Sequence, residues 1–320
     1  MTRLPPNRWQ RNVPLARLTT WRIGGPARFL AHPRNAAELV ADLAAARHLG
    51  LPVFALGAGS NLLFADTGYP GLLIRLRGGP PRDADGTLLA RMPPQRGGPA
   101  RVVLLASGTP LPRLVRQLAR LGWGGLEWAG GIPGTVGGAI INNAGAYGGQ
   151  IGDFLESVDL LDGDGSPATM AAAELGLSYR HSRLKGCAAT TLFVLQARVR
   201  LTPTAPDTIA ARCAELRAKR RARTPRGPSC GSVFRNPPGD SAGRLIDAAG
   251  LRGTRIGDSQ VAYRHANYII NKGAATAEQV VALIDVVRRR VWVCFGVALE
   301  PEVQLVGLRL DPLPRGDLPI

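Results

Sequence analysis

Two glycine-rich segments are the part of this sequence best suited to holding a phosphate group. The longer one covers residues 130–148, where seven of nineteen residues are glycine. Each ordered glycine costs conformational entropy, and the interleaved Ile132, Val136 and Ile140 argue against a flexible linker, which would carry polar residues. Main-chain N–H groups lying along a dinucleotide diphosphate would explain such a segment.

The shorter segment reads LGAGSNLL at residues 56–63 and follows an apolar stretch. Its glycines permit a tight turn and a close approach of the backbone to a ligand. It is not a Rossmann fingerprint, because Leu62 stands where the third glycine belongs. Taken alone, such a loop is more often an ordinary turn than a binding site.

Three further segments carry side chains that can do chemistry. They are YRHS at 179–182, CGSVFRNP at 230–237 and LEPEV at 299–303. Each also has an ordinary interpretation. Arg180 is one of many arginines and fits a surface position, Ser232 fits a helix N-cap, and Glu300 fits an ion pair with an arginine of 288–290.

Taken together with TTWRIGG at 19–25, these segments resemble the UDP-N-acetylenolpyruvoylglucosamine reductase family, from about Thr19 to Gly307. The resemblance implies bound FAD and NADPH as the reductant. It implies UDP-N-acetylglucosamine enolpyruvate as the substrate, in peptidoglycan precursor synthesis. The residues expected to hold FAD are Gly57, Ala58, Gly59, Ser60, Asn61, Gly131, Ile132, Pro133, Gly134, Thr135, Gly137, Gly138, Asn143, Ala144 and Gly145.

The resemblance also implies that Arg180, Ser232 and Glu300 are catalytic. In an enolpyruvyl ether, hydride adds to the terminal carbon and negative charge develops on the neighbouring carbon and its carboxylate. Arg180 suits that charge, because a guanidinium stays ionised and donates in a planar fork. Ser232 is the expected proton donor. Glu300 is expected to act as a protonated partner or to orient a donor.

Tyr179, Arg223, Asn236 and His265 are weaker candidates for substrate binding. Arg223 lies in the basic stretch 212–226, most of which is expected to form a solvated helix face. His265, in the segment HANY, fits a core histidine equally well. Some members of the family carry a tyrosine-bearing insertion after the YRxS segment, and this chain resembles the shorter branch without it.

The formal charge of +17 comes from 40 Lys and Arg against 23 Asp and Glu. Such a charge attracts phosphates of any kind, but no basic-aromatic nucleic-acid module is present, which argues against nucleic-acid binding. No stretch approaches the ~20 apolar residues of a membrane span. Four scattered cysteines and an N-terminus without an apolar core favour the cytoplasm and predict neither metal site nor disulfide framework. A monomer or weak oligomer is expected.

Periodicity and capping predict the elements that carry these segments. Helices are expected at 36–49, between Asn35 and Gly50, and at 111–121, where leucines recur on one face. Strands are expected at 52–56, 71–76, 102–106, 158–161 and 192–201, with a hairpin turn at Asp85-Gly86. The two prolines of 202–207 suggest a linker.

The predicted fold class is α+β. We expect an FAD-binding domain of the vanillyl-alcohol-oxidase type, made of two α/β subdomains at 1–72 and 73–202. A C-terminal α+β substrate domain at 203–307 and a tail at 308–320 complete the prediction. The alternative is another FAD-dependent oxidoreductase of the same fold, which would have no need for the segments around Ser232 and Glu300.

Overall fold

The structure is a computed structural model of the chain and describes residues 5–83, 85–89, 98–185 and 192–313. The chain divides into two compact units, each built from three stretches. Unit 1 comprises Met1–Arg11, Phe29–Ala58 and Pro70–Arg221. Unit 2 comprises Asn12–Arg28, Gly59–Tyr69 and Ala222–Ile320.

Strands and helices alternate irregularly along the described residues. The strands are β1 (Gln10–Pro14), β2 (Pro26–Ala31), β3 (Val53–Ala55), β4 (Leu62–Phe64), β5 (Tyr69–Ile74), β6 (Arg82–Asp83), β7 (Arg101–Ala106), β8 (Trp123–Gly124), β9 (Gly145–Ala146), β10 (Gly149–Gln150), β11 (Leu155–Asp162), β12 (Pro167–Ala171), β13 (Leu192–Pro203), β14 (Arg255–Ile256), β15 (Ser259–Val261), β16 (Ile269–Asn271) and β17 (Gln304–Val306). The α-helices are α1 (Ala36–His48), α2 (Leu111–Leu121), α3 (Val136–Ile141), α4 (Pro206–Arg223), α5 (Ala242–Ala248) and α6 (Ala277–Phe295). Short 3-10 turns lie at Leu15–Arg17, Glu127–Gly131, Ile151–Asp153 and Ala172–Leu175.

One sheet has the strand order β1-β2-β5-β3, with β3 and β5 parallel. Helix α1 contributes Leu39 and Leu43 to the apolar cluster that also contains residues of β2 and β5. The side chain of Asn35 accepts a hydrogen bond from the N–H of Glu38, which caps the helix. The predicted start of this helix is thus confirmed. The helix ends at His48, one residue before the predicted end, with Leu49 as its C-cap and Gly50 following at a φ of +63°.

A second sheet, in unit 1, has the order β12-β11-β13-β7-β6, and β8 pairs with the end of β13. Its neighbouring strands run antiparallel. The predicted face of α2 is confirmed, since Leu111, Leu114 and Leu118 are all buried in the large cluster of unit 1. Asp85 and Gly86 form the expected turn, and Gly86 has a φ of +83°.

Unit 2 contains a three-stranded antiparallel sheet, β14-β15-β16, and a parallel pair formed by β4 and β17. Its core lies between α5, α6 and residues from the early chain, including Trp21 and Leu63. Asp66 accepts hydrogen bonds from the first two N–H groups of α6, at 2.9 Å and 3.1 Å. A carboxylate at a helix start satisfies donors that have no partner within the helix.

The expected linker at 202–207 is wrong. Thr202 and Pro203 complete β13, where they pair with Gly124 and Trp123 of β8, and Pro206 begins α4. Proline is tolerated at the end of a strand and in the first turn of a helix, so two prolines close together need not mark a linker.

Among the residues that the structure describes, no helix is long and apolar enough to cross a membrane. Cys213, Cys230 and Cys294 are free thiols, and Cys187 lies outside the described residues. Within the described ranges, no group of three or more His, Cys, Asp or Glu side chains is arranged to hold a metal ion.

Candidate functional site

Within unit 1, the start of the shorter phosphate-binding segment, up to Ala58, meets the longer segment. A Cβ built on Gly57 would lie 2.9 Å from the Oγ1 of Thr135, so the two loops are in contact. Along the described residues, no acceptor is found for the main-chain N–H groups of Gly57, Ala58, Gly134 and Thr135. Main-chain donors without partners are uncommon in folded proteins. These loops therefore fit a diphosphate, whose oxygens would satisfy such donors.

Not every glycine of the two segments lies where the loops meet. The N–H of Gly137 donates to the carbonyl of Ser107, at 2.9 Å, and a Cβ on Gly137 would collide with the Ser107 side chain. In unit 2, a Cβ on Gly59 would collide with the carbonyl of Leu18, and Gly59 has a φ of +62°. Both glycines are required by neighbouring protein atoms, independently of any ligand.

Asn143 is completely buried, and its side-chain amide makes three hydrogen bonds with protein atoms. Its amide nitrogen donates to Gln150 and to the carbonyl of Ser178, and its oxygen accepts from the N–H of Gly152. The side chain thus ties the hairpin of β9 and β10 to the segment that contains Arg180. Asn143 therefore supports the loop from within the protein and has no exposed surface of its own.

Arg180 is half-buried and sits on the glycine-rich segment. Its Nη2 donates to the carbonyl of Gly145, at 2.7 Å, and its guanidinium lies 5.2 Å from the ring centroid of Tyr179. Ser182 is buried and donates to the carbonyl of Ile141, at 2.7 Å. With a φ of +56°, Arg180 adopts a conformation that non-glycine residues rarely take. These contacts are not those of an ordinary surface arginine.

Ser232 lies in an irregular segment of unit 2, and the interpretation of this residue as a helix N-cap is wrong. The nearest following helix, α5, is capped by Ser241. Asn267 holds the residues after Ser232: its oxygen accepts from the N–H of Phe234, at 2.9 Å, and its amide donates to the carbonyl of Phe234, at 2.8 Å. The N–H of Val233 donates to the carbonyl of Asn267, at 2.8 Å.

Glu300 lies beside the same segment. Its carbonyl accepts from the N–H of Arg235, at 2.9 Å, and its carboxylate lies 3.6 Å from the Arg235 guanidinium. The expected alternative, a pair with an arginine of 288–290, is not found for the residues described: Arg288 pairs with Asp285, and Arg289 with Asp311. Unit 2 therefore brings the segments that carry Ser232 and Glu300 side by side, and Phe234 and Pro301 form an antiparallel bridge between them.

Arg223 and His265 are close enough in unit 2 to interact electrostatically. Burial of the imidazole, followed by the charges of Arg252 and Arg223, lowers the pKa of His265 below its usual 6.5. The ring packs against Tyr268, with centroids 4.8 Å apart, and its buried Nδ1 has no hydrogen-bond partner among the residues described. His265 is thus largely neutral, as in the core interpretation.

The other two weak candidates make different contacts. The side-chain oxygen of Asn236 accepts from the N–H of Ala242 at the start of α5, at 3.1 Å. Tyr179 is exposed and is covered on one face by Arg180. Cys230 is buried, and burial together with the nearby Glu302 raises the pKa of its thiol, so it is not a reactive thiolate.

Sequence reasoning missed two residues that shape this region, Asn267 and Arg235. Asn267 belongs to the HANY segment, in which only His265 was a predicted site residue. Sequence reasoning also did not predict that the TTWRIGG segment packs within unit 2. The indole of Trp21 donates to the carbonyl of Ile269, and Asn271 donates to the carbonyl of Trp21.

A cleft of 620 Å³ lies elsewhere in unit 1 and includes none of the predicted site residues. Arginines at 34, 77 and 198 line it together with Asp159. The Asp159 carboxylate is held by Thr169, Gln196 and Arg198, at 2.6–2.8 Å. The Asp159 carboxylate therefore accepts hydrogen bonds from protein groups. The cleft is not part of the candidate site.

Comparison with known proteins supports one assignment. Residues 222–306 match the family described as UDP-N-acetylenolpyruvoylglucosamine reductase, C-terminal domain, and residues 27–170 match an FAD binding domain. The UDP-N-acetylenolpyruvoylglucosamine reductase of Chloroflexus aggregans is 42% identical over 297 residues, covering 92% of this chain and 96% of the relative. That of Synechococcus sp. WH7803 is 45% identical over 303 residues, covering 93% of each.

Among solved structures, the UDP-N-acetylenolpyruvylglucosamine reductase of Thermus caldophilus is similar over 93% of this chain and 99% of its own. The sequence identity is 37% and the TM-score is 0.74. The similarity thus extends over both units.

Proposed function

The chain belongs to the UDP-N-acetylenolpyruvoylglucosamine reductase family, and on this basis we propose that Arg180, Ser232 and Glu300 are its catalytic residues. It is an FAD-dependent oxidoreductase that uses NADPH to reduce UDP-N-acetylglucosamine enolpyruvate to UDP-N-acetylmuramate, in peptidoglycan precursor synthesis. The α+β fold with an FAD-binding domain of the vanillyl-alcohol-oxidase type, predicted from the sequence, is confirmed.

The observation that carries the cofactor assignment is a set of main-chain donors, where the two glycine-rich loops meet, for which the described residues provide no acceptor. Gly57, Ala58, Gly134 and Thr135 would hold the FAD diphosphate through those N–H groups. Bound FAD would supply the hydride chemistry that links NADPH to the enolpyruvyl double bond. The protein contributes binding, orientation and control of charge and protons.

The role proposed for Arg180 is to stabilise charge on the substrate carboxylate. Its contacts with Gly145 and Tyr179 restrict the guanidinium to one region of unit 1. A donor that is already oriented needs no rearrangement when negative charge develops. Lysine would supply a similar charge without the planar fork, so Arg180 and lysine are not equivalent here.

Ser232 is proposed to give a proton to the substrate carbon next to the carboxylate. The residue is half-exposed. The neighbouring main chain is held by Asn267 and by the N–H of Glu302, which donates to the carbonyl of Val233 at 2.7 Å. A hydroxyl is a weak acid, but a carbanion is a strong enough base when the geometry is fixed.

Glu300 is proposed to act as a protonated partner or to orient a donor. The contact that supports the second role is the Arg235 guanidinium, a donor that lies 3.6 Å from the Glu300 carboxylate. The side chain of Glu300 is 75% exposed, so the pair is partly screened by water. Substrate binding would remove that water and strengthen the interaction.

We propose the cytoplasm as the compartment, supported by the free thiols at Cys213, Cys230 and Cys294 and by the use of NADPH. A monomer or weak oligomer is proposed for the assembly. Tyr179, Arg223, Asn236 and His265 remain candidates for substrate contacts, and Arg223 is the one with a charge suited to a UDP diphosphate.

The decisive experiment measures NADPH oxidation by the purified yellow protein with and without the enolpyruvyl UDP-sugar. Oxidation that depends on this substrate and yields UDP-N-acetylmuramate is the expected result. A flavoprotein that reduces only oxygen or another acceptor would contradict the assignment and favour a different oxidoreductase of the same fold.

Ser232→Ala tests the proposed proton donor. Flavin reduction by NADPH should stay near the wild-type rate, while reoxidation by substrate should slow by about a hundred- to ten-thousand-fold. Ser232→Cys should retain more activity, because a thiol also donates a proton. Stopped-flow measurement of both half-reactions decides the matter, and equal effects on the two would rule out the role.

A further inference from the structure

We infer that Arg220 is the cation that neutralises the FAD diphosphate at the glycine-rich loops. The inference rests on FAD binding by this chain and deepens that assignment. It identifies a binding residue on α4, a helix outside every glycine-rich segment.

Arg220 lies against the long glycine-rich segment. A Cβ built on Gly131 would come within 2.7 Å of the Cδ of Arg220 and 3.5 Å of its Nε. The aliphatic stem of the arginine therefore covers the main chain of Gly131. A side chain at position 131 would displace the Arg220 stem, so the glycine there makes room for the arginine.

Arg220 differs from the other basic residues of α4 in its environment. Arg220 is half-buried, whereas the others are all exposed, namely Arg212, Arg217, Lys219, Arg221 and Arg223. Arg212 and Lys219 both pair with Glu215, at 2.6 Å. In the described part of the chain, by contrast, the Arg220 guanidinium has neither a hydrogen bond nor an ion pair. A half-buried cation without a partner is costly unless a ligand provides the counter-charge.

The glycine-rich loops need such a cation. Residues 56–63 and 130–148 contain no lysine, arginine or histidine. Main-chain N–H groups can orient a diphosphate, but they carry only partial charge. An arginine donates two parallel hydrogen bonds to phosphate oxygens and neutralises them at the same time. Arg220 is a basic residue whose stem contacts this loop, at Gly131.

The test compares flavins with and without phosphate. Arg220→Met keeps an unbranched stem over Gly131 and removes the charge, and Arg212→Met is the matched control on the exposed face of the same helix. The full-length proteins are freed of flavin and titrated with FAD and with riboflavin, which lacks the diphosphate. Arg220→Met should weaken FAD binding about 10- to 100-fold, the effect of losing one charge-assisted hydrogen-bonding group, and leave riboflavin binding unchanged.

Equal losses for FAD and riboflavin would mean that Arg220 only supports the loop, and unchanged FAD binding would overturn the inference. A loss of UDP-sugar binding with normal FAD binding would assign Arg220 to the substrate diphosphate and overturn it as well. Wild-type protein that binds no FAD would instead overturn the proposed function.

A second measurement covers the case in which Arg220→Met fails to fold. Arg220→Lys keeps the charge and should bind FAD within a fewfold of wild type. In wild type, potassium chloride should weaken FAD binding more than riboflavin binding, because salt screens charge. Salt effects of the same size on both flavins would contradict the inference.

Discussion

Replacing Asn267 by alanine is expected to destabilise the protein and to slow the half-reaction with substrate. Asn267 is 3% exposed, and its amide makes both a donated and an accepted hydrogen bond with the main chain of Phe234. Phe234 is itself buried. Alanine would leave a buried N–H and a buried carbonyl without partners, at about 1–3 kcal/mol each. Partial entry of water lowers that sum, and we expect a loss of about 3 kcal/mol.

The assay is urea denaturation in the presence of the same excess of FAD for every variant, because bound ligand adds to the apparent stability. Gln260→Ala is the control: its half-exposed amide donates one hydrogen bond to Gly253, and its loss should cost about 0.5–1 kcal/mol. Asn267→Asp keeps the acceptor but sets a carboxylate oxygen against the Phe234 carbonyl, and it should be no more stable than the alanine variant.

The same substitution should affect chemistry below the unfolding temperature. Asn267 holds Val233 and Phe234, which follow Ser232 directly. Reoxidation of reduced flavin by substrate should therefore slow, while reduction by NADPH is preserved. The reasoning fails if Asn267→Ala loses less than about 1 kcal/mol, the size expected of one exposed hydrogen bond, or if both half-reactions change equally.

Three further predictions concern the flavin and pH. Acid precipitation should release all FAD into the supernatant, and yellow colour left on the pellet would indicate a covalent link. Gly134→Val should weaken FAD binding by at least about tenfold, or about 1.4 kcal/mol, because a side chain there blocks the approach of a ligand to the Gly134 N–H. Full flavin content in this variant would show that this loop does not bind FAD. Because the pKa of His265 is lowered in the folded protein, its neutral ring stabilises the fold fully above pH 6.5, and that contribution is lost as the pH falls through the depressed value. His265→Gln should then reduce the dependence of unfolding free energy on pH in this range, and an unchanged dependence would refute the assignment.

Local chemistry was sufficient to predict several elements. The cap at Asn35, the glycine at position 50 and the leucine spacing of α2 all act within one or two turns of helix, so they can be read from neighbouring residues. The outcome at 202–207 shows the limit of such reasoning. Its first two residues are held in β13 by β8, a pairing across almost eighty positions of sequence that no local pattern records.

The glycine-rich segment shows a second limit. Composition indicated that the backbone must approach something closely, but it could not distinguish Gly137, which is close to Ser107, from Gly134, whose N–H has no acceptor among the residues that the structure describes. Likewise, Arg235 was read as one residue of a motif, although it is the partner of Glu300. Assigning these roles requires knowing which distant residue lies opposite, and that information exists only in the folded chain.

The construction of unit 2 from three separated stretches has a consequence for synthesis on the ribosome. Trp21 and Leu63 are completely buried in its core, yet the helices that cover them come from residues 242–295. The partner of β4 is β17, made some 240 residues later. During translation the apolar side chains of the early stretches stay exposed until the covering helices have been made. Such a state is prone to aggregation and suited to chaperone binding. By the same reasoning, a fragment limited to residues 222–306 would lack Trp21, Leu63 and the Asp66 cap of α6, and it should not fold alone.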